Sequence, residues 1–287
     1  MKMKMALSLV CPLLLLFLSA LPCYISLLHS PSYYSDQQAL LSFKHSLSLD
    51  PDNSLSDWSP HHYLCNWTAV ACSSRHQRVV SLNLTGMSLA GPISPFLGNL
   101  SFLRVLVLRN NSFHGQIPSQ LGNLFRLRVL RLSKNKLEGS IPSTLANCYS
   151  LQHLNLSYNL LSGIIPSQLG LLSHLETLSL GKNLLSGIIP SQLGRLSHLE
   201  RLFLEKNQLT GIIPPSLGNL SSLVFLVLDN NRIHGHIPVE LGMLTQLRAL
   251  YLNSNNLKGV IPIALSNCTL LQNLSLSFNQ LTGHIPN

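Results

Sequence analysis

Charged and aromatic side chains are scarce in this sequence of 287 residues. Charged residues make up 10% of it and aromatic residues 6%, whereas about 25% of an average soluble domain is charged. Apolar residues reach 46%, which excludes a disordered chain, because such chains are poor in large aliphatic residues. After residue 30 the sequence has no apolar run close to the roughly 20 residues of a spanning helix. A polytopic membrane protein is therefore excluded.

Acidic residues are the rarer charged class, with 10 Asp and Glu against 19 Lys and Arg. Residues 1–30 carry two of the lysines and no acid, which leaves a net charge of +7 for the rest of the chain. We expect this charge to be scattered rather than clustered. It therefore indicates neither a nucleic-acid surface nor a membrane surface.

Enzyme motifs are also missing from the sequence. It has no Gly-rich phosphate loop followed by lysine, no Gly-x-Ser-x-Gly and no His-Glu-x-x-His. The adjacent pair His61 and His62 is typical of a solvated loop. Glu205 and Asp229 form the carboxylate pair most worth testing for glycosidic chemistry, but surface recognition is favoured for them. No catalytic residue, metal or cofactor is predicted.

The first thirty residues have the pattern of a secretory signal. Lys2 and Lys4 precede the apolar run 6–20, which matches the charged and apolar regions of a signal peptide. We assign 1–30 as the signal peptide, with an uncleaved signal anchor as the alternative. In both cases everything after residue 30 lies outside the cytoplasm.

A period of 24 residues organises the rest of the chain. Three residue types recur in phase: Asn at 111, 135, 159, 183, 207, 231, 255 and 279; Gly four residues later; and Pro three residues after each Gly, from 118 to 286. Such self-similarity is the signature of a repeat protein. We assign 79–287 as about nine repeats with no C-terminal cap.

Each repeat can be understood from the copy at 103–126. Leu106 and Leu108 alternate with an outward residue like a short strand. Asn111 can turn its amide onto backbone groups of the following bend, Gly115 permits an unusual backbone conformation, and Pro118 leads into a short helical segment. No single repeat can bury its leucines alone, so the repeats must stack. Stacking predicts parallel strands about 4.8 Å apart and a ladder of asparagines.

The pattern LxxLxLxxNxLxGxIPxxLGxLxx resembles the plant extracellular leucine-rich repeats of receptor-like kinases, receptor-like proteins and polygalacturonase-inhibiting proteins. The resemblance covers about 36–287 and implies an α/β solenoid. This fold is a right-handed superhelix with a parallel concave β-sheet, short helical or 3-10 convex segments and a helical N-terminal cap. The implied cap occupies 31–78, where Asp36 is expected to be the N-cap of a helix. Ala69 stands where the family has glycine, which puts the local backbone geometry in doubt.

The family's cap carries a Cys-x-Trp-x-Gly-Val-x-Cys motif, and Cys65 and Cys72 stand at its cysteine positions, so this pair is expected to form a disulfide. Cys148 and Cys268 replace core leucines and are expected to be free thiols. Eight Asn-x-Ser/Thr sequons are predicted glycan acceptors: Asn66, Asn83, Asn99, Asn110, Asn155, Asn219, Asn267 and Asn273.

The ligand site is expected on the concave face, within a stretch of strands that carries no sequon. Phe203, Val227 and Tyr251 are consecutive in the central outward position and form an apolar ridge bordered by charge, which is typical of an interaction site. The alternative is that these residues are present for strand propensity alone. The predicted ligand-binding residues are Arg201, Phe203, Glu205, Phe225, Val227, Asp229 and Tyr251.

Two functions remain open. The resemblance implies the ligand-recognition domain of a truncated or incomplete plant receptor-like Ser/Thr kinase, binding an extracellular peptide or microbial pattern together with a co-receptor. This receptor would reach the membrane through a signal anchor or a missing C-terminal span. The alternative is a freely secreted inhibitor of a microbial wall-degrading enzyme, or a decoy receptor. An enzyme and a nucleic-acid partner are not expected, and the predicted location is the extracellular face of the plasma membrane or the apoplast.

Overall fold

The computed structural model of the protein describes residues 33–285. The predicted signal peptide lies outside the described residues, as do Pro286 and Asn287. Each 24-residue repeat forms one coil with a strand, a turn, a second short strand and a 3-10 helix. Because consecutive coils stack in register, their strands join into sheets that run along the chain. The predicted leucine-rich solenoid with a helical cap is confirmed.

The Leu-x-Leu segments form the concave sheet. Its ten strands pair in chain order, and all pairs after the first are parallel. The register is fixed by leucine, since Leu106 pairs with Leu130 and both side chains are fully buried. The strands are Val70–Cys72, Val79–Asn83, Val105–Val107, Val129–Arg131, His153–Asn155, Thr177–Ser179, Arg201–Phe203, Phe225–Val227, Ala249–Tyr251 and Asn273–Ser275.

The structure also has a second set of parallel strands that the sequence analysis does not predict. They follow the asparagine of each repeat and alternate around one buried residue, such as Leu161, while Leu160 on its outer side is exposed. Six of them, forming one sheet, are Ala90–Pro92, Ser112–Gln116, Lys136–Gly139, Leu160–Ile164, Leu184–Ile188 and Gln208–Thr210. Three more, His234–Gly235, Asn256–Gly259 and Gln280–Leu281, pair beyond them.

The outer side of each coil is a 3-10 helix. Gly122 explains the glycine of this segment, because a Cβ there would lie 2.4 Å from the Thr144 carbonyl oxygen of the next coil. The nine 3-10 helices among residues 33–285 are Leu64–Asn66, Pro95–Asn99, Ser119–Asn123, Ser143–Asn147, Ser167–Leu171, Ser191–Arg195, Pro215–Asn219, Val239–Met243 and Ile263–Asn267.

The repeated asparagines, named here the asparagine column, form the predicted ladder. In a representative coil, the Asn183 amide donates to the carbonyls of Leu156 (3.1 Å) and Leu180 (3.0 Å), and its oxygen accepts from the Leu161 amide (3.1 Å). The same three bonds recur from Asn111 to Asn279. Each side chain therefore satisfies backbone groups of two coils at once.

The cysteines behave as expected. Cys65 and Cys72 form the predicted disulfide. Cys148 and Cys268 are free and buried, and each occupies a core leucine position. Burial raises the pKa of the Cys148 thiol to about 12, so this thiol stays protonated and unreactive at neutral pH.

The predicted N-cap role of Asp36 is wrong. Asp36 lies inside the cap helix Tyr33–Ser46 and is fully buried. Its carboxylate accepts two bonds from the Arg78 guanidinium (2.7 and 2.8 Å) and one from the Val79 amide (2.9 Å). This buried ion pair holds the cap helix against the strand Val79–Asn83, the first strand of the repeats.

Ala69 adopts the backbone geometry for which the family uses glycine. Its φ is +66°, a left-handed conformation that costs an alanine about 1–2 kcal/mol. The residue lies just before the strand Val70–Cys72, which pairs antiparallel with Val79–Asn83. The turn that starts the concave sheet is therefore strained at this residue.

Replacement of Asn183 by alanine should lower the free energy of unfolding by about 1–3 kcal/mol. The substitution leaves the buried Leu161 amide without a partner, which costs about 1–3 kcal/mol, while the Leu156 and Leu180 carbonyls each keep one bond, from Asn159 and Asn207. Urea denaturation measures the change. Asn123→Ala, at an exposed site on an outer 3-10 helix, is the control and should stay within about 0.5 kcal/mol. Equal effects would show that the column is not a main source of stability.

Replacement of Ala69 by glycine should raise the free energy of unfolding by about 0.5–1 kcal/mol, because relief of the left-handed strain exceeds the added entropy of glycine in the unfolded chain. Ala71→Gly in the neighbouring strand should lower it by about 0.5–1 kcal/mol. Guanidinium denaturation of both variants tests the sign. A loss of stability in both would contradict the assigned strain.

Candidate ligand-binding surface

Three adjacent strands bring the predicted binding residues together. Phe203 pairs with Val227, and Val227 with Tyr251, in register. The inward residues Leu202 and Leu226 are fully buried, so packing of the core fixes the outward side chains. The predicted ridge is therefore continuous across the sheet, and its role in binding stays a prediction.

The side chains of the ridge are partly buried and form an aromatic cluster. Phe203, Val227 and Tyr251 are half-buried. The ring of Phe225, which starts the neighbouring strand, lies 6.3 Å from the ring of Phe203 at an angle of 33°. Such a pair is held in a defined geometry by its edge and face interactions. A ligand would thus meet a preorganised apolar surface.

Arg201 lies at one border of the ridge. Its guanidinium contacts the Glu200 carboxylate at 3.1 Å, and 42% of each side chain is exposed. Exposed ion pairs contribute only about 0–1 kcal/mol. Loss of this ion pair therefore costs little free energy. The guanidinium of Arg201 can bind an anionic group of a ligand in place of Glu200.

Glu205 and Asp229 lie at the opposite border. The Glu205 carboxylate folds over Gly181, where a Cβ would lie 2.3 Å from it. Its Oε2 atom is buried, and none of residues 33–285 forms a hydrogen bond with this atom. Burial, and to a lesser extent the charge of Asp229, raises the pKa of Glu205, while Lys182 and Lys206 act in the opposite direction.

These side chains enclose a shallow cavity of about 400 Å³. It is lined by Lys182, Phe203, Glu205, Lys206, Val227, Asp229, Tyr251 and Asn253. Five of the seven predicted site residues line it. The other two, Arg201 and Phe225, pair with each other two positions before Phe203 and Val227 on the same strands. The lining thus combines an apolar floor with both signs of charge, which suits a peptide.

The sequence analysis misses the two lysines and the glycine of this cavity. Lys182 and Lys206 precede successive members of the asparagine column, and Gly181 precedes Lys182. The sequence does contain a signal for these residues, because Glu205 lies 24 residues, one repeat period, after Gly181 and therefore beside it on the next coil. The prediction considered only the outward positions of the strands.

A larger depression of about 670 Å³ lies on the outer side of the solenoid. Its lining includes Gln116, Ser140, Ile164 and Gln168, and it contains no charged side chain. These are equivalent positions of successive coils, so the depression is a consequence of the repeat geometry. We therefore place the candidate site at the smaller cavity on the concave face.

The predicted glycan acceptors leave this part of the concave face open. Seven of the eight sequon asparagines are exposed, and Asn155 is half-buried. Asn155 lies in the strand His153–Asn155, whereas Asn219 lies in an outer 3-10 helix. The strands from Thr177 to Tyr251 carry no sequon. Occupancy of the eight sites stays a prediction.

The described part of the chain holds neither a metal cluster nor a membrane helix. Across residues 33–285, no group of three or more His, Cys, Asp or Glu side chains could hold a metal ion. None of the helices in that range is long and apolar enough to cross a membrane.

The repeats and the cap both match models of known protein families. Leucine-rich-repeat family models match 101–161, 125–185, 173–233, 246–268 and 270–287. The model of the leucine-rich-repeat N-terminal domain matches 34–73, where the structure has the disulfide-bonded cap. The chain belongs to the leucine-rich-repeat family, with a leucine-rich-repeat N-terminal domain before the repeats.

Individual relatives agree with this family. The chain is 50% identical over 80 residues to the LRR receptor-like serine/threonine-protein kinase EFR of Arabidopsis thaliana, a match to 28% of this chain and 8% of EFR. The solved GASSHO1/SCHENGEN3 ectodomain of Arabidopsis thaliana, in complex with CASPARIAN STRIP INTEGRITY FACTOR 2, has a TM-score of 0.86 and 41% identity. The alignment covers 88% of this chain and 30% of that one.

The Arabidopsis receptor kinase HAESA is another structural neighbour, solved in complex with the peptide hormone IDA and the co-receptor SERK1. It has a TM-score of 0.70 and 36% identity, and the alignment covers 88% of this chain and 47% of that chain. The chain thus spans less than half the length of each of these three relatives.

Replacement of Glu205 by glutamine should raise the free energy of unfolding at pH 7. Because the folded pKa lies above the unfolded one, the wild type gains stability below the unfolded pKa and loses it as pH rises through the folded pKa. The advantage of Glu205→Gln should therefore vanish below about pH 4. Denaturation at both pH values measures this, with exposed Glu138→Gln as a control expected to stay within about 0.5 kcal/mol. A pH-independent gain would contradict burial of an ionised carboxylate.

Proposed function

We propose that this protein is an extracellular peptide-recognition domain of the plant receptor-kinase type. The observation that carries the proposal is the cavity on the concave face, where an aromatic floor is bordered by Arg201 on one side and by Glu205 and Asp229 on the other. Apolar anchors on fixed strands supply affinity, and charges at the border set the register of the ligand. Two solved relatives support it, since HAESA was crystallised with a peptide hormone and a co-receptor and GASSHO1/SCHENGEN3 with CASPARIAN STRIP INTEGRITY FACTOR 2.

The cap supports an extracellular location. The disulfide between Cys65 and Cys72 is of the kind that persists in oxidising compartments. The eight sequons and the signal pattern at 1–30 point the same way. We therefore place the protein in the secretory pathway, with its concave face in the apoplast and with an extracellular peptide as its ligand and a co-receptor as a second partner.

A secreted inhibitor of a wall-degrading enzyme is the second candidate. The repeat pattern is shared with the polygalacturonase-inhibiting proteins, so the fold alone does not separate the two functions. The receptor proposal is favoured because the shallow cavity at Phe203 and Tyr251 combines apolar side chains with both signs of charge, as suits a peptide. An assay against a fungal endopolygalacturonase separates them: inhibition that survives Phe203→Ala/Tyr251→Ala would support the inhibitor.

Selection of peptides on the purified protein tests the receptor proposal. A displayed library of random extended peptides is panned on the wild type, and the selected peptides are measured by calorimetry. Phe203→Ala/Tyr251→Ala should lose about 2 kcal/mol or more of binding free energy, as expected for aromatic anchors. Its melting temperature should fall only slightly, because both side chains lie on the outward face of the sheet.

The control is Leu160→Ala/Leu184→Ala, which truncates two exposed apolar side chains of the second sheet. It should bind the selected peptides like the wild type. Equal losses in the two double variants, or a library that yields no peptide dependent on Phe203 and Tyr251, would refute the proposed site.

A further inference from the structure

The positive charge of the chain is concentrated in one segment. Residues 58–137 contain nine Arg and Lys and no Asp or Glu, whereas 138–287 contain seven and six. The expectation of scattered charge is therefore wrong. The segment forms the first coils of the solenoid, at the opposite end of the concave sheet from the aromatic cavity.

Stacking gathers four of these cations on neighbouring coils. We name Arg104, Arg109, Arg128 and Arg131 the arginine surface. The Arg128 amide donates to the Arg104 carbonyl at 2.8 Å, so these two residues lie one strand spacing apart, about 4.8 Å. Arg131 pairs with Val107 in register and lies on the outward face of the sheet.

The guanidinium groups of the arginine surface form no ion pair with any of residues 33–285. All four side chains are exposed. By contrast, Arg78 in the same segment is buried against Asp36. Arg104 and Arg128 lie on adjacent coils with their backbones hydrogen-bonded, so their like charges repel one another and an anion bound across this pair would relieve an unfavourable interaction.

The residues between the arginines indicate which anion fits. Val105, Val107 and Val129 lie on the same strands, with Val107 buried and the other two half-buried. Single-stranded nucleic acids bind by stacking their bases on free aromatic rings, and Phe102, three residues before the strand Val105–Val107, already holds the guanidiniums of Arg78 (4.6 Å) and Arg126 (4.3 Å). Aliphatic patches between arginines match a peptide whose carboxylates alternate with apolar side chains.

We propose that the arginine surface binds an acidic segment of the peptide recognised by the concave face. Arginine suits this role because its planar guanidinium binds carboxylate in a bidentate manner. The strand of Arg131 and the strand of Phe203 are three steps apart, or about 14 Å at the sheet spacing. Four or five extended residues span that distance, so one peptide reaches both sites. This inference rests on the proposed function and adds the charge and orientation of the ligand.

A synthetic probe peptide of alternating glutamate and valine, labelled with fluorescein, tests the surface by fluorescence anisotropy. Three predicted glycan acceptors border the surface, since Asn83 and Asn155 pair with Val107 and Arg131 and Asn110 follows Arg109. The protein is therefore measured both with its N-glycans and after their enzymatic removal. Arg104→Glu/Arg128→Glu should weaken probe binding at least tenfold at low ionic strength. Because exposed charges are screened, the wild type should lose most of its binding in 0.5 M salt.

The matched control is Arg195→Glu/Arg232→Glu. Both arginines are exposed and lie outside the concave sheet, so the control has the same change of net charge. It should bind the probe within about twofold of the wild type. Equal weakening in both variants would mean that only net charge attracts the probe, which overturns the proposal. Polygalacturonate is a second probe: if it binds through Arg104 and Arg128 and the peptide does not, the surface recognises a polysaccharide and the proposal is also wrong.

The peptides selected on the wild type separate this inference from the proposed function. If they lose affinity in Phe203→Ala/Tyr251→Ala but not in Arg104→Glu/Arg128→Glu, the concave site stands and the acidic subsite fails. If neither double variant weakens them, both proposals fail. A tenfold loss in each variant, with acidic residues enriched in the selected sequences, is the expected result.

Discussion

The fold depends on the hydrogen bonds of the asparagine column. Each repeat must turn sharply where its concave strand ends, and the turn leaves backbone amides and carbonyls that strand pairing cannot satisfy. One asparagine side chain, such as Asn183, resolves this for two coils because its amide and oxygen bind three backbone groups. Since the amide reaches only from one coil to the next, it fixes their spacing and register. The outward-facing residues of the sheet are therefore aligned from coil to coil in the same register.

This constraint explains how a regular scaffold carries an irregular surface. The leucines and asparagines face inward and hold the backbone, so the outward residues contribute little to stability and are free to differ between coils. The first coils display Arg104, Arg128 and Arg131, whereas later coils display Phe203, Tyr251 and the acid Glu205. A purely cationic end and an end that carries both signs of charge differ, so they favour one orientation of a ligand over the reverse. The ligand specificity proposed for this protein thus depends on which outward-facing residues each successive coil carries.

Prediction from the sequence succeeds where the information is repeated or local. The asparagine ladder, the concave strands, the disulfide Cys65–Cys72 and the register of Phe203, Val227 and Tyr251 all follow from a 24-residue period or from short spacing. It fails where the role of a residue depends on a partner that is far away in the sequence. Asp36 was expected to cap its own helix, but its partner Arg78 is 42 residues away. The second sheet was missed because its strands, such as Leu160–Ile164, contain only one buried residue in an alternating pattern.

Departures from the period are the most informative positions in such a chain, because neighbouring coils supply the comparison. Ser133 and Ser157 are buried at the position that Gly181 occupies one coil later. The missing side chain at Gly181 leaves room for the Glu205 carboxylate, which folds into it with a buried oxygen that lacks a partner. That arrangement costs stability, since burial disfavours the ionised form. A coil selected for stability alone would keep serine there, so the glycine and the glutamate together support the ligand site proposed at the cavity that they border.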